Sequence, residues 1–289
     1  MDTQYFKTSD NTKIRYHYQK SKTNSQGPCF IFLNGRSEWI EKYAFLPSLL
    51  GVPDSSSYLT IDHRGQGESE GTRAWTPSYI RFADDLSELL GHLNIKEYTI
   101  TAHSMGALIA LIGVMEDKLH PQKMLLCSPL LGLPKDKLPL PIALKVVKVL
   151  NLVGLGKVPS MLDREVGQAF HKNKLTHSEE NYNVFKDSRH RADSVTFGWV
   201  HQTSIATSYA HKDENIQKLN EIPIKMLISG DEKVVHLQDT IDWTQKAEQI
   251  LSDFSSEIFH GAKHELFTES DKFRVGAVKM TQDFLGFSH

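Results

Sequence analysis

The 289 residues predict an α/β fold: a mostly parallel central sheet flanked by helices, with an inserted helical cap. Two observations carry that reading. Short apolar runs bounded by turn residues alternate with longer helical stretches, as expected for strands covered on both faces by crossover helices. Between about Gly132 and Leu219 the alternation stops, and beyond Leu219 it resumes. The length suits one such unit carrying an insertion, with enough chain for a sizeable core.

From the N-terminus, Gln4 to Gln19 holds two alternating runs around Ser9-Asp10-Asn11-Thr12, which is turn chemistry and predicts an antiparallel hairpin. Cys29 to Leu33 is a continuous apolar run closed by Asn34-Gly35-Arg36, and Tyr58 to Ile61 is another, closed by Asp62. Tyr98 to Thr101, Lys123 to Cys127, Ile224 to Ile228 and Glu257 to Phe259 repeat the pattern, with helices at Ile80 to Leu93 and Ala107 to Met115. Right-handed crossovers then place ligands at the carboxyl ends of the strands. The expected organisation is a core of residues 1–131 and 220–289 and a helical cap of residues 132–219. The cap opens with an apolar, Pro-punctuated run from Leu133 to Leu162 and continues as a polar, His-rich helical section.

Composition excludes several function classes. With 39% hydrophobic and 24% charged residues the chain is neither disordered nor membrane-embedded. Thirty-three basic against 35 acidic residues leave −2, so no global field points to nucleic acid. Cys29 and Cys127 lie in apolar runs and read as free buried thiols, since two cysteines make no disulfide framework. Met1 to Lys20 lacks the sections of a signal peptide, so the expected location is cytoplasmic. Apolar stretches such as Ala107 to Ile112 fall far short of the ~20 residues that cross a bilayer.

Chemistry concentrates at Ile100-Thr101-Ala102-His103-Ser104-Met105-Gly106, where a Ser stands between an apolar strand and an apolar helix. That is the setting of a nucleophile elbow, whose usual pattern G-x-S-x-G has Ala102 here in the first Gly position. The tight turn strains the central residue and lifts its side chain clear of the sheet. Met105 N–H, at the start of the helix, is one candidate oxyanion donor, and Arg36 N–H, after Gly35, is the other. A plain helix N-cap is the competing reading of Ser104. The base should follow the last strand, which selects His264, with His260 as competitor; His103 is expected to point elsewhere from its place in the elbow. The acid should follow the strand ending near Ile228, where Asp231 and Glu232 are neighbours and only one can reach His264.

Asn34-Gly35-Arg36, Ile61 to Ser69, Ala102 to Gly106, Ser229 to Val235 and His264-Glu265-Leu266 together resemble the serine-hydrolase branch of the α/β-hydrolase superfamily that contains monoacylglycerol lipases and bacterial lysophospholipases. Leu175 to Ser178 and Val195 to Val200 resemble the lysophospholipase side more closely. The resemblance implies the α/β-hydrolase fold and a Ser, acid, His order. Its pattern, G-x-D-x-V-V, places the acid two residues before a Val pair. Counting back from Val234-Val235 selects Glu232 over Asp231, with Glu standing for the commoner Asp.

The implied activity is hydrolysis of a lipid or small ester through an acyl-enzyme, with lysophospholipids or monoacylglycerols as single-chain substrates. Acyl transfer to an alcohol is a second enzymatic reading, and a non-catalytic binding protein on the same scaffold is the rival from another class. Asp62 to Ser69 lacks the spacing of a phosphate cradle and reads as bracing near the site. No cluster has metal-ligand spacing, and His171, His177, His190, His201 and His211 read as a polar cap surface, so no cofactor or metal is expected. No feature points to a protein partner or to nucleic acid.

Between Gly132 and Ser160, Lys135, Lys137, Lys145, Lys148 and Lys157 face only Asp136, a local balance of 5 minus 1. On a helix, Ile142, Val146, Val149 and Val153 share one face and Lys145 and Lys148 another. One reading is a cap helix packed on the sheet domain with a solvated lysine edge; the functional reading adds that the apolar face borders an acyl-chain pocket while the lysines meet anionic lipid head groups, giving peripheral membrane contact through the cap.

Overall fold

The computed structural model describes residues 1–23, 27–134, 140–160, 168–186, 188–192 and 194–287. Eight strands form one sheet: β1 (Gln4–Lys7), β2 (Lys13–Gln19), β3 (Cys29–Leu33), β4 (Tyr58–Ile61), β5 (Tyr98–His103), β6 (Met124–Cys127), β7 (Ile224–Ser229) and β8 (Phe254–Phe259). Their order is β1-β2-β4-β3-β5-β6-β7-β8. The β1–β2 and β2–β4 pairs are antiparallel and the remainder parallel. Asn11, at φ 69°, makes the hairpin turn that the sequence placed there.

The helices are α1 (Leu46–Leu49), α2 (Tyr79–His92), α3 (Met105–Met115), α4 (Leu140–Leu152), α5 (Glu179–Lys186), α6 (Phe197–Ala210), α7 (Asp213–Ile216), α8 (Leu237–Ile250) and α9 (Asp271–Leu285). Strand alternation divides the core into two layers. Ile31, Leu33, Ile100, Leu126 and Met226 pack with α2, α3 and α8 on one face. Phe30, Phe32, Leu125, Cys127 and Leu227 pack with α1 and α9 on the other. Helix α3 is apolar all round because it is enclosed all round: every residue from Met105 to Met115 is buried. The edge strand β8 begins at Phe254, three residues before the expected start at Glu257. Its exposed Ser255 and Glu257 alternate with half-buried neighbours, and this polar alternation conceals the strand's start.

Between β6 and β7 the described residues form helices, a few 3-10 turns and one isolated bridge, Pro159 to Thr196. Helix α4 packs on α6, and α6 on α3. The assignment of α4 faces is reversed from expectation. Ile142, Val146, Val149 and Val153 are between 53% and 62% exposed, whereas Ala143, Leu144 and Val147 line the internal cavity. Both stripes are apolar, so periodicity alone could not choose which would turn inward. Lys145, Lys148 and Lys157 are exposed, and Lys135, Asp136 and Lys137 lie outside the described residues.

Of the histidines between β6 and β7, His171 and His177 are exposed as expected, while His190, His201 and His211 are half-buried. His177 Nδ1 lies 2.6 Å from Glu269 Oε1, His211 Nε2 lies 2.9 Å from Leu131 O, and the His190 ring packs 5.8 Å from Trp39. Each ties this segment to the core. Among the described residues no helix is long and apolar enough to cross a membrane.

Candidate active site

The turn from β5 into α3 holds Ser104 at φ 51° and ψ −112°, a conformation unfavourable for a residue with a Cβ. The turn is also closely packed. A Cβ at Gly106 would stand 2.4 Å from Leu33 O and 2.6 Å from Asn34 O, so only glycine lets α3 start this near the end of β3. Ala102 pairs in register with Leu33 and is fully buried, so its methyl is accommodated in the first elbow position.

Ser104 makes no side-chain cap bond to its helix. Its Oγ lies 2.9 Å from His264 Nε2, and His264 Nδ1 lies 2.6 Å from Glu232 Oε2. The second Glu232 oxygen accepts from Val234 N–H at 2.7 Å and Val235 N–H at 3.2 Å, which fixes the carboxylate from behind. Asp231, the alternative acid, pairs with the exposed Lys233 at 2.8 Å, and His260, the alternative base, is exposed at the end of β8. His103 departs from expectation: its ring lies 4.8 Å from that of His264 and forms part of the cavity wall.

Burial opposes charge on each of these groups, and local partners decide the outcome. It would lower His264, but the charge and hydrogen bond of Glu232, with Glu265 and Glu38 nearby, raise it above the usual imidazole range. It would raise Glu232, but His264 and the Val234 and Val235 N–H groups bring it below the usual carboxylate range. His103 has no carboxylate strong enough to offset burial and is pushed down to about 4, leaving a neutral ring beside the base.

Arg36 follows Gly35 on the loop after β3. A Cβ on Gly35 would stand 3.2 Å from Ser104 Cβ, so glycine lets this loop close on the hydroxyl. Met105, the first residue of α3, has its N–H outside the helix's own hydrogen-bond ladder. The loop is braced from several sides. Gly35 N–H donates to the Glu38 carboxylate, Ser37 N–H to Gln66 Oε1, and Ile40 N–H to Asp62 Oδ1 at 2.9 Å. Asp62 also accepts from Glu68 N–H at 2.9 Å and from Arg15 at 3.0 Å, so the Asp62–Ser69 segment acts as a brace. Gly67 is required there, because a Cβ would stand 2.1 Å from the Asp62 carboxylate.

Ser104 and His264 form part of the wall of a cavity of about 230 Å³, whose apolar lining includes Leu130, Leu144, Val147, Val195, Trp199 and Val200. A hydroxyl, an imidazole and a carboxylate in series beside an apolar chamber can perform acyl transfer on a substrate with a hydrocarbon chain. Sequence reasoning did not single out Glu38, Lys42 and Glu265, three buried charged residues close to these groups. Glu265 stood next to the candidate base. Lys42 gave no signal, because Glu-x-x-x-Lys spacing ordinarily marks a solvated helix face. Among the described residues, no three or more His, Cys, Asp or Glu side chains are grouped to hold a metal ion.

A family model described as serine aminopeptidase, S33 (Hydrolase_4) matches residues 26–271. The probable lysophospholipase L2 of Haemophilus influenzae is 27% identical over 302 residues, covering 98% of this chain and 91% of that protein. Among solved structures, the monoacylglycerol lipase of Paleococcus ferrophilus superposes with a TM-score of 0.78 at 16% identity, covering 95% of this chain and 99% of the other. A soluble variant of the Saccharomyces cerevisiae monoglyceride lipase gives 0.76 at 17% identity, covering 99% and 95%. At these identities the structural likeness establishes a shared α/β-hydrolase fold.

Proposed function

The chain belongs to the serine aminopeptidase S33 family of α/β hydrolases, and from that premise we propose that it is a serine esterase that hydrolyses the acyl ester of single-chain lipids, most of all lysophospholipids. The observation that carries the proposal is the unbroken series from Ser104 Oγ through His264 to Glu232, at 2.9 and 2.6 Å. In this reading Ser104 Oγ attacks the ester carbonyl while His264 Nε2 takes its proton. Glu232 holds the Nδ1–H tautomer and stabilises the imidazolium. Arg36 and Met105 N–H groups receive the oxyanion. Collapse breaks the ester C–O bond, and the alcohol leaves with the proton from His264. Water, deprotonated by the same imidazole, then releases the fatty acid and restores the hydroxyl.

The apolar part of the cavity wall suits one acyl tail, and the likeness to the Haemophilus protein supports a phospholipid head group. Arg36, Lys174, Arg191 and Lys233 in the same wall supply cations for a phosphodiester. The segment 132–219 serves in this proposal as a cap over the site. Its α4 leaves Ile142, Val146, Val149 and Leu152 facing outward, and Val153 just beyond the helix is exposed as well. Each is more than half exposed and so forgoes roughly 1–2 kcal/mol of burial, a cost that contact with a lipid surface would relieve, with Lys145 and Lys148 beside anionic head groups.

A panel of lysophospholipids and monoacylglycerols of matched chain length tests the substrate. Faster release of fatty acid from the phosphodiester substrates, abolished in Ser104→Ala, is expected. Preference for the neutral glycerides would move the assignment to a monoacylglycerol lipase, and accumulation of a new ester with an added alcohol would move it to acyl transfer. No turnover of either class would favour a binding protein.

A further inference from the structure

Three charged side chains lie almost entirely out of solvent next to the reacting groups: Lys42 is 1% exposed, Glu38 and Glu265 each 3%. Lys42 Nζ donates to Glu38 Oε1 at 2.6 Å and to Glu265 Oε1 at 2.7 Å. Each carboxylate has further anchors. Tyr43 OH donates to Glu38 Oε1 at 2.8 Å, Gly35 N–H donates to Glu38 Oε2, and Thr268 Oγ1 donates to Glu265 Oε2 at 2.6 Å.

The two carboxylates belong to different loops. Glu38 holds Gly35, the residue before Arg36, on the loop after β3, whereas Glu265 directly follows His264 on the loop after β8. One ammonium therefore joins the loop bearing an oxyanion donor to the loop bearing the base. Burial of such an ion triad is not explained by stability, since well-packed apolar side chains of similar volume often serve as well. What apolar side chains cannot supply is a directional link between two loops and a fixed local charge.

We propose that Lys42 is a positioning residue, which through Glu38 and Glu265 clamps the oxyanion loop to the His264 loop and leaves one net negative charge that favours the imidazolium of the transition state. This rests on the reading that Ser104 and His264 hydrolyse an ester. The charge count is two carboxylates against one ammonium. The groups facing His264 are Glu232 at Nδ1, Ser104 at Nε2, the neutral His103 ring, Glu265 in sequence and Glu38 in the same cavity wall. Lys174 accepts from His264 N–H through its backbone carbonyl at 3.5 Å, and the Asp231–Lys233 pair flanks Glu232.

The role is tested by kinetics of a soluble p-nitrophenyl ester over pH 5 to 9 with three variants. Glu265→Gln keeps the shape of the side chain and an oxygen acceptor for Lys42 while removing one charge. It should move the acid limb of kcat/KM down by about half a pH unit. Lys42→Met should lower kcat on the order of 10- to 100-fold with KM within about twofold, because positioning and not binding is lost. Lys42→Ala should regain part of its kcat with added methylammonium or ethylammonium.

An unmoved acid limb in Glu265→Gln, or a Lys42→Met enzyme with unchanged kcat, overturns the proposal. So does a Lys42→Ala enzyme that stays folded yet shows no amine rescue. Failure of the underlying reading looks different: the unsubstituted protein would not cleave the ester, or Ser104→Ala would cleave it equally well.

Discussion

At the scale of single residues, the chemistry depends on which of two adjacent carboxylates faces the imidazole. Asp231 and Glu232 differ by one backbone step, and their side chains diverge: one pairs with Lys233 outside, the other lies 2.6 Å from His264. Glu232→Gln is therefore expected to reduce kcat by about 10³- to 10⁴-fold, through loss of the correct tautomer. Asp231→Asn should stay within about twofold, and steady-state kinetics on any cleaved ester checks both; the reverse ranking would reassign the acid. Ser104 and His264 were legible because each sits in a motif whose chemistry requires its neighbours. Glu232 was legible only through the spacing to Val234-Val235. His103 was misread, since the motif fixes its backbone and says little about which side chain its ring will meet. The Lys42 clamp was not legible at all, because its partners are 4 and 223 residues away.

At the scale of elements, the strands and α3 could be read because burial on all sides leaves uninterrupted apolar runs. Strand β8 was read short because an exposed edge admits Ser255 and Glu257. Helix α4 shows the limit of periodicity: its two apolar stripes are equivalent in sequence, and only packing against α6 and the cavity distinguishes them. The outward stripe has a measurable consequence. Sedimentation with anionic vesicles is expected to bring the protein down at low salt, with less bound at high salt as the lysine contribution is screened. Val149→Asp should weaken binding at every salt concentration while leaving hydrolysis of a soluble ester unchanged. Binding that ignores salt, lipid charge and Val149→Asp would remove α4 as the contact.

At the scale of the whole molecule, one sheet brings together positions 36, 104, 232 and 264 from the ends of β3, β5, β7 and β8. The cost of that convergence is a concentration of buried titratable groups. Burial pushes His63 and His103 each down to about 4 from 6.5. Both are neutral in the fold, whereas the unfolded chain takes up protons below about pH 6.5. Their contribution to stability is therefore complete above that pH and lost as pH falls toward 4. His264, raised in the fold, has the opposite sign: its contribution is present below 6.5 and lost as pH rises through its folded value. His201 is lowered as well, by burial and by Lys148, so with three histidines against one the thermal midpoint should fall by several degrees between pH 7 and pH 5, as thermal unfolding monitored by circular dichroism would show. A midpoint that rises over this interval would contradict the assignment of neutral buried rings. The convergence itself is tested most directly by mass spectrometry of the protein after reaction with a fluorophosphonate. A single adduct is expected on the peptide containing Ser104, absent in Ser104→Ala and strongly slowed in His264→Ala. Labelling at another residue, or none, would contradict the account.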